Sequence, residues 1–512
     1  MSRPGIRRLA SFLAFALFLC FPLGAQDFGF GFGEEGEESS EASQAGSAPP
    51  PAVHISGKVS AAFELYPNDF SSPETAKASD LGKLFRGDLN FGASASNAEA
   101  ALNFRLSAAS LWDIGSRSSN DLLYNTPRLI DEAYLRAFFG PAFSPVTVEA
   151  GFRKLTWGRA DSLGPLDVTN PLDYSDLTRI TDTLDRKIAR PMLHVSWTPR
   201  AFSKLEAVFM PAFQGHRYEL EETGRWYPRV IGVDRRNDML TGLGGALGGL
   251  PPQMAVPLAG IMGKAAGMSI ELPATGGLEY AQAGLRFTTL LGGADLGAQY
   301  YYGNLFRPAF TIGGAGKLLK AAAESPLDSD RITAAAGELG LHTAYNRYHQ
   351  AGLDYAQVLA GFNVRAEFAA HITEDLGGDD GEVYNPSLAW SFGFDRDLLG
   401  FTLNLQVNES IRLMDGQVNG NPALDTEAGM ASTATTFTAQ ISRKFLRDKL
   451  ELKFTHIWNI EAMDIYYIPS LTYTAGDLST EISGGVFGGK RGGEFSQYRE
   501  MGFVRTALTY SF

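Results

Sequence analysis

From Val53 to Tyr66 apolar and polar residues alternate, with Val53, Ile55, Val59, Ala61, Phe63 and Leu65 on one side and His54, Ser56, Lys58, Ser60 and Glu64 on the other. A period of two marks a strand whose two faces meet different surroundings. The same count predicts strands at 84–96, 99–111, 127–139, 146–157, 190–198, 203–214, 278–292 and 294–306. It continues at 346–357, 361–373, 386–395, 401–412, 432–445, 449–460, 465–475, 478–487 and 499–512. The total is about 18 strands, with 16 as the alternative, and each is long enough to cross a bilayer when tilted. No run after residue 25 reaches 18 consecutive apolar residues, so a chain that spans a membrane must do so as a closed barrel.

The connections carry a second pattern. Short turns such as Ser96–Glu99, Leu291–Ala294 and Val358–Ala360 alternate with long segments at 67–83, 112–126, 158–189, 215–277, 307–345, 414–431 and 488–498. That alternation predicts an all-β, transmembrane, antiparallel up-and-down β-barrel with short periplasmic turns, long extracellular loops and both termini in the periplasm. A soluble β-sandwich has no reason to keep it along the whole chain. The apolar face of each strand then meets outer-membrane lipid. Arg86, Asp88, Arg105, Glu132, Arg136, Glu149, Arg365 and Glu367 fall on the other face and are predicted to coat a wet lumen.

The last strand ends in Val504, Thr506, Leu508, Tyr510 and Phe512 on one face. An aromatic last residue with another two before it resembles the terminal signature of bacterial outer-membrane barrels. The resemblance implies that Tyr510 and Phe512 are read by the barrel-assembly machinery.

The chain begins with Arg3, Arg7 and Arg8 ahead of an apolar run from Leu9 to Leu23, the layout of a signal peptide over residues 1–25. Cys20 is the single cysteine, so a mature chain cut after Ala25 has no thiol. Lipidation at Cys20 is the alternative, although Leu19 stands where a lipobox takes a small residue. Residues 26–52, acidic and rich in Gly, Ser and Pro, read as a disordered periplasmic linker, and residues 53–512 as the barrel. No plug domain or energy-coupling box is visible, which argues against a siderophore-type receptor. A mean hydropathy of -0.10 with 57 glycines suits a barrel better than a helical membrane protein. A net charge of -13 makes nucleic acid an improbable partner.

One segment is rich in chemistry: GFRKLTWGRADSLGPLDVTNPLDYSD, from Gly151 to Asp176. Trp157 is expected at the membrane interface, where an amphipathic ring is favoured, and Gly158 opens a turn. Aspartates interleave with Arg159, Arg179, Arg186, Lys187 and Arg190. The plain reading is a solvated, self-paired loop. The sharper one folds the loop into the barrel, so that Arg153, Arg159, Asp161, Asp167, Asn170 and Asp173 form a constriction whose field selects small polar solutes. A calcium site is an alternative whose spacing matches no EF-hand loop. Trp157, Gly158 and Asp161, followed by Asp167, Asn170, Pro171 and Asp173, resemble the W-G-x-x-D and D-x-x-N-P-x-D segment of poorly characterised porin-like outer-membrane barrels. That resemblance implies a fold and a location but no substrate.

Two long loops stand apart. Residues 215–277 hold glycine-rich apolar sequence, expected to be flexible backbone tucked inward, and 307–345 favours short helices that plug the lumen or cap it. The function expected is a porin-like channel for small polar solutes, with no cofactor and no metal. A loop-plugged barrel with a structural or surface-binding role is the alternative. A membrane-embedded hydrolase is a third class, disfavoured by seven scattered histidines and the lack of G-x-S-x-G or H-E-x-x-H. The pattern decides neither the solute nor whether the barrel is a monomer or a trimer.

Overall fold

The computed structural model describes residues 52–70, 85–96, 100–108, 130–139, 145–181, 183–218, 225–229, 232–267, 272–490 and 493–512. The expected signal, Cys20 and nearly all of the linker lie outside these residues, and so do the side chains of Arg86 and Asp88.

Strands β1 (Ala52–Leu65), β2 (Phe85–Ser96), β3 (Ala100–Ala108), β4 (Ile130–Phe139), β5 (Val146–Arg153), β6 (Arg190–Arg200), β7 (Ser203–Met210), β8 (Gln282–Leu291) and β9 (Ala294–Asn304) form the first half of a barrel. A separate hairpin follows, β10 (Ala309–Gly313) with β11 (Gly340–Ala344). The second half runs through β12 (Arg347–Leu359), β13 (Phe362–Thr373), β14 (Ser387–Leu398), β15 (Phe401–Arg412), β16 (Thr433–Phe445), β17 (Leu450–Asn459), β18 (Asp464–Ala475), β19 (Leu478–Gly488) and β20 (Phe503–Ser511). Each barrel strand pairs antiparallel with its sequence neighbours, β9 pairs with β12, and β20 pairs with β1 from Lys58↔Ser511 to Leu65↔Val504. The 18-stranded sheet is therefore closed and exposes no edge. At the seam Gly57 N donates to the Phe512 carbonyl at 2.8 Å, and Phe512 N donates back at 2.9 Å.

The alternation sorts side chains as a bilayer requires. On β12 Leu353 is 60% exposed on the outside while Gln350 and Asp354 are buried inside. On β20 Val504, Leu508 and Tyr510 point out, and Phe503, Arg505 and Ala507 point in. An apolar exterior around a polar interior is the surface of a membrane-spanning barrel. Among the described residues no helix is long and apolar enough to cross a membrane.

All eighteen expected strands are present, but several stop short of their expected ends at the long-loop end: β5 ends at Arg153, β7 at Met210, and β8 begins at Gln282. In each case alternation continues into chain that has left the wall. The opposite ends are tight turns, with positive φ at Gly292-Gly293, Ala360-Gly361 and Leu399-Gly400. Such turns match the twist of the strands they join.

The glycine-rich segment is not flexible backbone, which corrects the expectation. It forms α1 (Val233–Leu247) and α2 (Ala255–Ala266). These pack on α3 (Ala315–Glu324) and α4 (Ser329–Gly337), inserted between β10 and β11, through Leu243, Leu247, Ile261, Leu318 and Ile332. Ala423 of the loop after β15 joins this core, and Arg235 ties α1 down by donating to the Asp425 and Thr426 carbonyls at 2.8 and 3.0 Å. Apolar spacing on four helices that share one core outweighed the glycines. The helices pack chiefly on one another, so the three loops build a cap.

Candidate functional site: a loop folded into the lumen

The chain leaves the wall after Arg153 and turns inward. Trp157 is 2% exposed and packs with Leu155, Met192, Val208, Met210, Tyr301 and Tyr348, so it lies inside the barrel and not at the bilayer interface. A partner of minimal size makes room for it: a Cβ on Gly284 would lie 2.6 Å from the indole ring. An inward-facing glycine opposite the ring turns an interfacial residue into a lumen anchor.

Beyond Trp157 the backbone runs against the opposite wall. Glu367 on β13 accepts the backbone N–H groups of Arg159, Ala160 (2.7 Å) and Leu166 (3.3 Å). This approach needs Gly158, at φ +95°, and Gly164, because a Cβ on either would overlap the Glu367 carboxylate. Neutral side chains complete the grip. Gln406 accepts the Asp161 N–H at 2.9 Å, Asn408 donates to the Leu163 carbonyl at 3.0 Å, Gln350 to Pro165 at 2.7 Å and Gln299 to Leu166 at 2.9 Å. The far arm of the loop reaches the third side of the wall, where Tyr466 on β18 donates to the Leu177 carbonyl at 2.8 Å.

The segment's own polar residues divide into two sets. Asn170, 2% exposed, accepts the Leu155 N–H at 2.8 Å and donates to the Arg153 and Ile188 carbonyls at 3.0 and 2.9 Å, pinning the two arms together. Asp167 pairs with the buried Lys187 at 2.7 Å, and Asp173 pairs with Arg217 at 2.9 Å. Burial pushes the Asp167 carboxyl up, and Lys187 only partly offsets it. The other set crosses to the wall: Asp161 meets Arg365 at 2.8 Å, while Arg159 meets Asp354 at 3.2 Å and Asp295 at 3.7 Å. Burial raises Asp161 too, against the pull of Arg365. The aspartates thus take separate cations, and among the described residues no group of three or more His, Cys, Asp or Glu is placed to hold a metal ion.

Of the expected lumen residues, Arg105 faces Asp131 and Glu132 at 3.6 and 3.7 Å, and Arg136 pairs with Glu149 at 2.6 Å. Glu149 also pairs with Arg153, which ends β5 beneath the loop with its guanidinium 4.9 Å over the Tyr134 ring. His194 bridges Glu149 (2.7 Å) and Glu206 (3.1 Å), continuing one charged ladder from β3 to β7. Arg365 and Glu367 serve the loop. Sequence reasoning did not single out Arg286, which pairs with Asp354 at 2.7 Å, or the three glutamines. The signal of the glutamines was an uncharged polar residue at an inward position among apolar alternation. Tyr510 and Phe512 point outward at the seam, ring centroids 6.2 Å apart.

Against the loop, toward the cap, lies a cavity of about 380 Å³. Pro165, Val168 and Leu177 of the loop, Tyr348 and His371 of the wall, and the segments around His216, Arg307 and Glu494 line it. His216 accepts the Leu172 N–H through Nδ1 at 3.0 Å, and burial helped by Arg186 and Arg307 lowers it to about 3, so it is uncharged at neutral pH.

No family model matches the chain, and no curated protein matches it in sequence. Solved structures similar to it include Pseudomonas aeruginosa OccK3 (OpdO), with 9% identity and a TM-score of 0.42 over 90% of this chain and 95% of that one. Acinetobacter baumannii OccAB3 aligns at 8% identity and 0.44, over 90% and 99%. Salmonella typhi OmpF in complex with daunomycin aligns at 8% and 0.37, over 90% and 97%. At these values the barrel stands on its own strand pairing.

Proposed function

We propose that this chain is a porin-like channel of the bacterial outer membrane that passes small polar solutes. One observation carries the reading: inside a closed barrel with a polar wall, a loop is gripped at three sectors of that wall, narrowing the lumen. A structural barrel needs no such device. Arg159, Asp161 and Arg365, of mixed sign, are the charges set between loop and wall at the narrowing. Residues 1–25 act as the export signal and 26–52 as a periplasmic linker, so the short turns and both termini face the periplasm. Lipid meets the apolar exterior, and Tyr510 with Phe512 engages the assembly machinery.

The cap built from three loops supports a second reading, a closed barrel with a surface-binding role. Planar-bilayer recording of the folded protein separates the two. Discrete conductance steps are expected, whereas silence from a barrel that still shows heat-modifiable migration on a gel rejects the channel.

A further inference from the structure

The cavity above the loop joins opposite walls. Arg307 follows β9 and Glu494 follows β19, strands eight pairings apart one way round the barrel and ten the other. Both residues line the same cavity, so it lies across the lumen and not in one wall. Both side chains are exposed, and neither makes a close ion pair among the described residues: Glu494 has Asn459 as a hydrogen-bond partner and feels the Arg186 cation through the field, and Arg307 acts on Glu427 only through the field. Arg307 lies with its guanidinium carbon 3.9 Å from the centre of the Tyr384 ring, which orients it without neutralising it. The remaining lining is mostly apolar and aromatic: Tyr174 stacked on Tyr218 at 5.5 Å, with Phe306, Tyr348 and Tyr498. His216 adds no charge. One cation and one anion on opposing sides of an aromatic space, neither held in a close ion pair among the described residues, discriminate by the solute's own charge pattern. A simple anion meets Glu494, a simple cation meets Arg307, and each leaves one wall charge unanswered.

Building on the channel reading, we propose that this chamber binds zwitterionic solutes, free α-amino acids or short peptides with an apolar or aromatic side chain. The carboxylate lies on Arg307, the ammonium on Glu494, and the side chain against the tyrosines. Its volume suits a molecule of that size.

The test uses a matched set in single-channel recording: phenylalanine, 3-phenylpropionate, which lacks the ammonium, phenethylamine, which lacks the carboxylate, and glucose. Phenylalanine is expected to produce current block at a concentration at least about tenfold below the other three, the scale of one well-placed charge contact. Arg307→Gln and Glu494→Gln should each remove that advantage, and Arg307→Glu with Glu494→Arg should restore it. Equal block by 3-phenylpropionate or by glucose overturns the proposal, as does an advantage that survives both single variants. If the folded barrel passes no current, the channel reading fails alone. Equilibrium binding of labelled phenylalanine to the folded protein, against the same competitors, then decides the chamber, and loss of its selectivity rejects it.

Discussion

Glu367→Ala removes one side chain and three backbone hydrogen bonds at once. The carboxylate accepts from Arg159, Ala160 and Leu166, and it is 4% exposed. A hydrogen bond to a charged group is worth about 1.5–3 kcal/mol, so the gross loss is about 4–9 kcal/mol, reduced by whatever water enters the space. What still holds the loop tip is four neutral side chains, Gln299, Gln350, Gln406 and Asn408, each worth about 1 kcal/mol, and the half-buried ion pairs of Asp161 with Arg365 and Arg159 with Asp354, each worth about 1 kcal/mol. The two sums are comparable, so the tip from Gly158 to Leu166 should detach for a substantial fraction of the time while the barrel, whose strand pairing is untouched, stays closed. Single-channel recording should show a larger mean conductance and rapid flicker between two levels. Heat-modifiable gel migration should match the parent. Glu367→Gln keeps one acceptor oxygen but turns an amide against the remaining donors, so it should fall between. Parent-like conductance and noise from folded Glu367→Ala would refute the claim that this carboxylate positions the loop.

Removing the Lys187 ammonium by Lys187→Met leaves Asp167 buried without its cation and should cost about 3–5 kcal/mol, read as a lower midpoint of denaturant unfolding followed by tryptophan fluorescence. Adding Asp167→Leu to it should recover most of that loss. The pH response has a definite sign at His216, whose folded value of about 3 lies below the ordinary 6.5. Its contribution is intact above 6.5 and is lost as pH falls toward 3, since the unfolded imidazole takes its proton first. Asp161 and Asp167, raised by burial, run the other way. The difference between parent and His216→Asn unfolding midpoints at pH 7 and pH 4 therefore isolates the histidine: the parent should lose more on acidification.

The barrel was legible because its signal is repeated. Every wall strand must satisfy the same condition, apolar outside and polar inside, so errors at single boundaries do not accumulate. Val504 to Phe512 carries that condition as plainly as Val53 to Leu65, and the two are partners at the seam. Boundaries failed where local alternation outlasts the wall, as from Lys154 to Trp157. Trp157 was misplaced because sequence supplies the amphipathic ring but not the facing Gly284, which arrives from a strand more than a hundred residues later. The cap was misread for a related reason. Glycines lower helix propensity residue by residue, but the burial of Leu243 and Leu247 against Leu318 and Ile332 appears only when two distant loops meet.

The W-G-x-x-D and D-x-x-N-P-x-D segment looks like a ring of charges, and the contacts divide it differently. Gly158 makes space for Glu367, Asn170 joins the two arms, and Asp167 and Asp173 pair with cations of their own loop or the next. These residues build the narrowing, and a solute passing it does not find them free. Asp161, by contrast, has its partner Arg365 on the facing wall. Neutralising Asp161, Asp167 and Asp173 together would therefore mix a change in field with a collapse of the loop. The separable experiment is Asp161→Asn alone, which leaves the Asn170 and Lys187 contacts in place. It should shift ion preference toward anions with little change in unfolding midpoint, whereas Asp167→Asn should shift stability first. If both variants altered selectivity equally and stability not at all, the division between residues that build the loop and residues that face the solute would be wrong.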